Sequence, residues 1–495
     1  MIAKLNEIFL PAEKLIVYIN GYLTDYVLLF LLVGIGLFYT IRTKFVQVRC
    51  FGQGMKLVFG NLSLKGGKQR GGLSSFQALA TAVAAQVGTG NIVGACGAIL
   101  LGGPGAIFWM WVIAFLGMAT IYAEAVLAQK TRVVNEDGTV SGGPVYYIKH
   151  AFNNKFGKGL AAFFAVATML ALGFMGSMVQ SNSIGEAVGN VFGMEKGTYQ
   201  WIIGLVIAAL AAVIFLGGVN RIASVTEKLV PLMAGLYIIG SLVVIFARVR
   251  YIPETFGMIF KYAFNGDALI GGGIGYALKM ALSQGAKRGL FSNEAGMGST
   301  PHAHAQANVK TPHEQGVSAM IGVFIDTFVV LTMTALVVIS TLYAGGGALG
   351  NYQSYVTNAE GVRYVPGFEK TGLTQMAFGT VFGATFGNIF VAVCLFFFTF
   401  STILGWNFFG KINVEYLFGK KGTKAYTVVA ILFIFAGSLF SNGFVWELTD
   451  FFNYLMVLPN VLALAFLSAP VAKSAKTRGA CDLPTIEGDA TGEPE

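Results

Sequence analysis

Charged side chains are scarce in this sequence. Aspartate, glutamate, lysine and arginine make up 12% of its 495 residues, whereas an ordinary soluble domain carries about 25%. Hydrophobic residues make up 55% of the chain, and the mean hydropathy is +0.67. Such a chain has too little polar surface to fold as a water-soluble globule, and its composition predicts a polytopic, all-α membrane protein.

Cysteine and histidine are rare as well. The 4 cysteines are scattered and indicate neither a disulfide framework nor a metal motif. Three of the 4 histidines, His302, His304 and His313, follow one apolar segment closely, which is more typical of a surface feature on a cytoplasmic loop than of a metal site. Neither a Ser/His/Asp set nor an HExxH motif lies in the apolar segments, so no enzyme is expected. The net charge of +9 is spread over loops and predicts no nucleic-acid partner.

Long apolar runs dominate the chain instead. Counting runs that can cross ~30 Å of hydrocarbon predicts about eleven helices, near residues 26–42, 74–101, 105–130, 159–184, 200–219, 226–247, 268–298, 315–342, 373–409, 425–442 and 450–469. Residues 1–22 carry charges throughout and resemble an interfacial amphipathic helix rather than a cleavable signal peptide.

Basic loops set the expected orientation. The loop 43–73 carries basic charges only, and the loops 131–158 and 411–424 are also rich in basic residues. By the positive-inside rule these loops lie in the cytoplasm, which places the N-terminus outside a cell inner (plasma) membrane. Residues 471–495 then form a polar, disordered cytoplasmic tail.

Two predicted helices are interrupted by glycine. The first contains QVGTGNIVG, at residues 86–94, and the second contains GGGIGYALKMALSQGAKRG, at residues 271–289. Without the first helix, ten remain in two sets of five, and each set opens with an interrupted helix. Irregular backbone at membrane depth is tolerated where it lines a cavity or is buried in protein, so the pattern predicts a transporter with a midplane binding site. The GxGxxG spacing of a dinucleotide-binding loop is not matched.

Three motifs carry a family resemblance. TAVAAQVGTGNIVG, GLFSNEAGMGSTPHAHA and FSTILGWNFFG resemble the alanine or glycine:cation symporter family, within the leucine-transporter-type superfamily. Membership implies a leucine-transporter-type fold, with a first inverted repeat over 74–250, a second over 251–470 and an extra N-terminal helix within 1–73. It also implies a symporter that uses Na⁺, or occasionally protons, as the coupling ion and takes up small neutral amino acids such as alanine, glycine, serine or glutamine. We expect the protein to be a monomer in the lipid bilayer.

The resemblance also assigns site residues by position. Hard cations prefer oxygen ligands, and the sodium ligands implied are the carbonyls of Ala84, Val87 and Phe398 with the hydroxyls of Ser401 and Thr402. The Asn91 side-chain oxygen would serve a second ion. A serine or threonine in a helix more often bonds to its own i−4 carbonyl, which is the alternative interpretation of the two hydroxyls.

Substrate-binding residues are assigned in the same way. The amides around Thr89 and Gly90 would receive the substrate carboxylate, and the full set expected is Gln86, Gly88, Thr89, Gly90, Gln180, Met280, Ser283, Thr402 and Trp406. Trp406 lies one helical turn beyond Thr402 and would line the pocket. The glycines could instead be helix-packing residues, and Gln180 could form an interhelical hydrogen bond.

The second break is placed at Leu282–Gly285, with Gly271–Gly275 as the alternative. Among the charges near it, Lys279 is expected to pair with Asp326, while Lys287 and Arg288 reach the cytoplasmic water. Glu124 is expected to be an ion-pair partner. A cation channel that uses QVGTGN as a selectivity filter remains the alternative to a carrier.

Overall fold

The computed structural model describes residues 2–60, 73–135, 139–193, 199–264, 274–350, 356–357, 363–364, 367–440 and 442–479. The helices of the first half are α1 Ile2–Tyr22, α2 Leu29–Arg42, α3 Val46–Arg49, α4 Phe51–Phe59, α5 Ser75–Gln86, α6 Ala95–Gly102, α7 Ala106–Thr131, α8 Pro144–Ala151, α9 Lys155–Thr168, α10 Ser177–Phe192, α11 Gln200–Phe215 and α12 Gly218–Ala247.

The second half follows the same pattern of long helices and short connections. Its helices are α13 Ile252–Phe264, α14 Ile274–Asn293, α15 Pro301–His304, α16 Pro312–Val323, α17 Thr332–Val338, α18 Lys370–Phe382, α19 Ala384–Gly437, α20 Asn442–Phe466 and α21 Ser468–Thr477. Segments of π-helix continue or join several of these helices, at Leu23–Leu28, Gly90–Gly94, Met169–Gly176, Phe324–Leu331 and Ile339–Tyr343. A 3₁₀ turn spans Val249–Tyr251.

Among the described residues, strands form three two-residue pairs. β1 Leu73–Ser74 pairs in parallel with β4 Ala307–Asn308, β2 Val133–Val134 pairs antiparallel with β3 Val140–Ser141, and β5 Val356–Thr357 pairs antiparallel with β6 Arg363–Tyr364. The β1–β4 pair joins the start of α5 to the chain that follows α15. It therefore joins the N-terminal end of the first interrupted helix to the chain beyond the second.

Local sequence explains where several helices start. Ser74 and Gln77 form a reciprocal capping box at the first turn of α5, which satisfies amides that have no partner inside the helix. Pro144, Pro301 and Pro312 occupy the first turns of α8, α15 and α16. Proline suits that position because its missing N–H would be unpaired there anyway.

By length and composition, seven helices of the described residues can cross a membrane, or eight if α5 and α6 form one bent span. The other predicted spans correspond to α11, to α14, which carries Lys279, Lys287 and Arg288, and to the second part of α19. That 54-residue helix contains Gly419 at φ 69°, ψ −177°, where two helices meet. The prediction of a polytopic helical membrane protein is confirmed.

Two predictions, the helix at 373–409 and the tail from residue 471, were wrong in detail. Residues 373–409 are two helices, because Gly383 adopts φ 81° and separates α18 from α19. The N-terminal segment predicted to lie at the membrane interface forms α1, which continues through Leu23–Leu28 into α2; part of it falls in a 32-residue apolar span, Pro11–Arg42, and its interfacial position stays a prediction. The tail expected to be disordered from residue 471 begins inside α21, where Val471 and Ala475 are fully buried; residues 480–495 lie outside the described residues.

Helix α19 is central to the packing and contacts α5, α10 and α18. It approaches α5 closely because Gly405 has no side chain: a Cβ there would lie 2.9 Å from the Ala85 Cβ. Small residues allow such contact between membrane helices. Large apolar side chains such as Phe30, Leu216 and Phe246 are exposed on the outside, where lipid would cover them.

Candidate functional site

The first glycine-rich segment is broken, as the sequence predicts. α5 ends at Gln86, and the helix that follows is bent from it by 44°. The Gly88 amide, which would serve the Ala84 carbonyl in a regular helix, donates to the Asn91 side-chain oxygen at 2.9 Å. The Asn91 amide bonds to the Gly88 carbonyl at 3.3 Å rather than to Val87. The break thus releases the carbonyls of Ala84 and Val87 from these helical bonds.

Those carbonyls meet two hydroxyl groups of α19. Thr402 Oγ1 lies 3.0 Å from the Ala84 oxygen and 3.5 Å from the Val87 oxygen. Ser401 Oγ lies 3.3 Å from the Ala84 oxygen. The Phe398 carbonyl oxygen is 2.8 Å from Ser401 Oγ and 3.0 Å from Thr402 Oγ1. All five predicted sodium ligands therefore lie together, each at most 1% exposed.

The chemistry of this oxygen cluster suits a small hard cation. Its five possible ligands are neutral carbonyl and hydroxyl oxygens, and such ions prefer oxygen ligands to nitrogen or sulfur. Each hydroxyl bonds back to the Phe398 carbonyl of its own helix, as the alternative interpretation expects, and each also bonds across to the Ala84 carbonyl of α5. The residues present therefore fit a transported sodium ion. Ligation of sodium by Ser401 and Thr402 stays a prediction.

The second break was placed at the wrong residues. α14 is continuous from Ile274 to Asn293, so Leu282–Gly285 is helical, and residues 271–273 of the alternative lie outside the described residues. Gly285 is instead a packing glycine, whose Cβ would lie 2.7 Å from the Trp109 Cβ. The chain leaves the helix at Glu294 and resumes at α15, with Gly296 and Gly298 at φ 88° and 81°.

A buried carboxylate accepts hydrogen bonds from the backbone of this second break. Glu124 of α7 accepts hydrogen bonds from the amides of Gly296, at 3.2 Å, and Gly298, at 3.0 Å. The Asn460 side-chain amide also donates to it, at 2.6 Å. Glu124 is therefore an acceptor for unwound backbone, and the expectation of an ion-pair partner was wrong.

The two unwound segments touch. The Gln86 side-chain amide donates to the Asn293 carbonyl at 2.7 Å. A Cβ on Gly90 would lie 2.8 Å from the Ser292 Cα, so glycine permits the approach. Asp326 links both segments by accepting from Asn91 Nδ2 at 2.6 Å and from Ser292 Oγ at 2.9 Å.

Several buried polar atoms around the first break have no protein partner. Gln180 Oε1 accepts from the Thr89 amide at 3.3 Å, but Gln180 Nε2, Thr89 Oγ1 and Gln86 Oε1 are unpaired. The side chains of Gln180 and Thr89 are fully buried, and Gln86 is 2% exposed. Buried polar groups are nearly always paired. These three atoms are therefore free to bond to water or to a polar ligand.

Trp406 borders the same region and reaches a residue that the sequence analysis missed. Its indole nitrogen donates to Glu294 Oε1 at 2.5 Å, at the start of the second break. Trp406 is 1% exposed and Glu294 is fully buried. Glu294 lies within the motif GLFSNEAGMGSTPHAHA, and an acidic residue beside two glycines was the signal that could have located this break.

Two predicted substrate residues are not brought to the breaks. Met280 and Ser283 lie within α14, roughly 15–20 Å along its axis from Asn293 at 1.5 Å per residue. The Met280 carbonyl packs near Gly102 at the end of α6. Their assignment to the substrate followed from the misplaced break.

The charges of α14 are also paired differently from the prediction. Lys287 Nζ lies 2.9 Å from Asp450 and 3.1 Å from Glu447, and Arg288 lies 3.2 Å from Asp450. The side chains of Lys287 and Arg288 are only 10% and 7% exposed, so they do not reach water. Here this buried set is called the α14–α20 ion cluster.

Lys279 does not pair with Asp326. Its ammonium lies 5.6 Å from the centre of the Tyr26 ring, whereas Asp326 is fully buried and bonds to Asn91, Ser292 and Thr327. Ser292, the α14 residue that bonds to Asp326, lies 13 residues beyond Lys279, about 20 Å along the helix axis at 1.5 Å per residue, so the pairing expected from the sequence was wrong.

The histidines are not surface residues. His302, His304 and His313 are each at most 1% exposed and bond to Asn413, Gln315 and Tyr122. Among the described residues, no group of three or more His, Cys, Asp or Glu side chains could hold a metal ion. These histidines pack the interior.

Comparison with known proteins agrees with this geometry. The crystal structure of MhsT in complex with L-phenylalanine matches with a TM-score of 0.56 at 14% identity, covering 80% of this chain and 89% of that chain. The sodium/alanine symporter AgcS of Methanococcus maripaludis is 39% identical, covering 92% of this chain and 95% of its own. A Bacillus subtilis protein described as a probable sodium/glutamine symporter, GlnT, is 35% identical, over 94% and 90%.

The fold is of the leucine-transporter type, and the family model and relatives that match the chain are those of symporters rather than enzymes. The model of the sodium:alanine symporter family matches residues 10–478. The chain belongs to that family, as the three sequence motifs predicted.

Proposed function

We propose that this protein couples sodium influx to the uptake of small neutral amino acids, with alanine and glycine as its main substrates. The observation that carries the proposal is the cluster of five buried oxygens at the first break, beside three unpaired polar atoms. The names of AgcS and GlnT, a sodium/alanine and a probable sodium/glutamine symporter, support sodium as the coupling ion.

The substrate would lie where the two breaks meet. Its carboxylate would face the amide of Gly90 and replace Gln180 Oε1 as the partner of the Thr89 amide, at the start of a helical segment whose dipole favours negative charge. Gln180 Nε2 would donate to the carboxylate, and Gln86 Oε1 would accept from the amino group. Trp406 would limit the volume left for the side chain, which favours alanine and glycine over larger amino acids.

Sodium and substrate would be coupled because they share one segment. The carbonyls of Ala84 and Val87 would hold the ion, and the amide of Thr89, two residues further on, would hold the substrate. If the ion orders this segment, the substrate binds without the free-energy cost of ordering it again. The coupling is reciprocal, so bound substrate favours ion binding to the same degree. Asn91 orients the segment through Gly88, and its role as a ligand of a second ion stays a prediction.

We further propose that the protein acts as a monomer in the cell inner membrane with its N-terminus outside. The basic loops before α5 and after α7 support this orientation through the positive-inside rule. The test is cysteine accessibility in intact cells: a cysteine at residue 2 should be labelled from outside, and one at residue 420, in the predicted cytoplasmic loop 411–424, should not.

The first prediction concerns the driving force. Purified protein in liposomes should accumulate labelled alanine when sodium is supplied outside with a negative interior potential. One charge crossing 100 mV is worth ~2.3 kcal/mol, enough for ~50-fold accumulation at ~1.4 kcal/mol per decade. Accumulation driven equally well by protons without sodium would contradict sodium coupling, and single-channel currents would favour the channel alternative.

The second prediction concerns the oxygen cluster. The double variant Ser401→Ala, Thr402→Ala removes two of its oxygens and should raise the sodium concentration needed for half-maximal uptake by about tenfold or more, at 1.4 kcal/mol per decade. Thr399→Ala is the matched control, because the Thr399 hydroxyl bonds only to carbonyls of its own helix, Leu395 and Phe396. An unchanged sodium dependence in a folded double variant would remove these hydroxyls from the site.

A further inference from the structure

Glu294 occupies a backbone conformation that is costly for its residue type. It follows the last residue of α14 with φ 58°, the left-handed conformation in which glycine commonly ends a helix. A non-glycine residue with positive φ is uncommon, and such positions concentrate at functional sites. The side chain at this position therefore needs its own explanation.

The carboxylate of Glu294 is fully buried and is shared by two neutral donors. The indole nitrogen of Trp406 donates to Oε1 at 2.5 Å, and the Ser299 hydroxyl donates to Oε2. Ser299 lies on the far side of Gly296 and Gly298 in the same unwound segment. Glu294 therefore links the indole directly to the conformation of the second break.

The indole is also fixed on its other sides. Phe291 meets it edge-on with ring centroids 5.9 Å apart. A Cβ on Gly176 would lie 2.4 Å from two carbons of its six-membered ring, so the ring packs directly on the backbone of the helix before α10. With packing on these faces and one strong polar contact at its edge, the ring has one defined position.

We infer that Glu294 is a positioning residue that sets amino-acid size selectivity by fixing the Trp406 indole, an inference that rests on the proposed function. Because the carboxylate lies in the unwound segment, the ring is held only when that segment adopts this conformation. Selectivity is then a property of the closed arrangement of the two breaks rather than of the tryptophan alone. Glu294 contacts the indole and need not touch the substrate.

The test measures competition with labelled alanine uptake by glycine, serine, leucine and methionine in liposomes. Glu294→Ala should reduce the preference for alanine over leucine by about tenfold, the scale of one misplaced apolar contact. Glu294→Gln keeps an acceptor for the indole and should restore most of the preference. Trp406→Phe lacks the N–H donor, so adding Glu294→Ala to it should change the preference less than twofold.

The outcomes separate the inference from the proposed function. If the wild type accumulates none of these amino acids with sodium, the proposed function falls and the inference falls with it. If the wild type transports and Glu294→Ala and Glu294→Gln keep its rank order, the inference alone is wrong. The inference is also wrong if Glu294→Ala changes the alanine-over-leucine preference as much in Trp406→Phe as in the wild type, because Glu294 would then act without the indole. Glu186→Gln, a buried acid bonded to Thr371, is the control and should keep the rank order.

Discussion

Gly88→Leu is expected to abolish uptake of every amino acid. Gly88 lies in the unwound segment, where a Cβ would lie 2.3 Å from Thr402 Oγ1 and 3.4 Å from Gln180 Oε1. Any side chain there displaces a hydroxyl of the oxygen cluster and enters the space beside the unpaired amide of Gln180. Packed interiors do not yield to such overfilling. The measurement is sodium-driven uptake in liposomes, compared with protein-free liposomes.

A matched control distinguishes this effect from a general loss of glycine. Gly97 lies on the same core helix, and a Cβ there would meet only the Lys370 Cδ, at the ordinary distance of 3.7 Å. Gly97→Ala should therefore retain uptake, whereas Gly88→Ala should already raise the sodium concentration needed for half-maximal uptake. A folded Gly88→Leu protein that transports alanine at the wild-type rate would show that this segment does not bind the ligands.

The first break could be predicted from the sequence because its signal is local. Polar and glycine residues interrupt an apolar run of spanning length, and such an interruption must be buried or line a cavity. The sodium ligands followed from positional resemblance, and the structure brings all five together. The inverted arrangement of two five-helix halves stays a prediction, supported by the likeness of the fold to MhsT.

The second break could not be placed in the same way. The sequence of the helix offers three glycine clusters, and glycine alone does not say which unwinds. What selects Gly296 and Gly298 is the Glu124 carboxylate, more than 170 residues earlier in the chain. Gly285 contacts Trp109 and remains helical. Partners this distant leave no trace in local composition.

The same reason explains the errors over charge. Lys287 and Arg288 have no acidic neighbour within a helical turn, so their sequence context favours a route to water. Their acidic partners lie on α20, about 160 residues later. A single sequence contains no measure of that proximity, and the α14–α20 ion cluster became visible only in the fold.

Asp450→Asn is expected to destabilise the protein strongly. Asp450 is 1% exposed and is the common partner of Lys287 and Arg288 in the α14–α20 ion cluster. Removing its charge leaves two buried cations facing Glu447 alone. Breaking a buried ion pair by neutralising one partner typically costs about 3–5 kcal/mol, because the remaining charge stays desolvated. The measurement is the midpoint of thermal unfolding of the purified protein in detergent.

Two further variants decide whether charge imbalance is the cause. Glu254→Gln makes the same chemical change at an exposed carboxylate bonded to the Gly345 amide, and it should shift the free energy of unfolding by less than about 0.5 kcal/mol. Adding Lys287→Met to Asp450→Asn removes one of the stranded cations, so the double variant should unfold at a higher temperature than Asp450→Asn alone. If Asp450→Asn unfolds at the wild-type temperature, the cluster contributes no net stability. If the double variant is less stable than Asp450→Asn, the loss of stability comes from packing rather than from an unpaired charge.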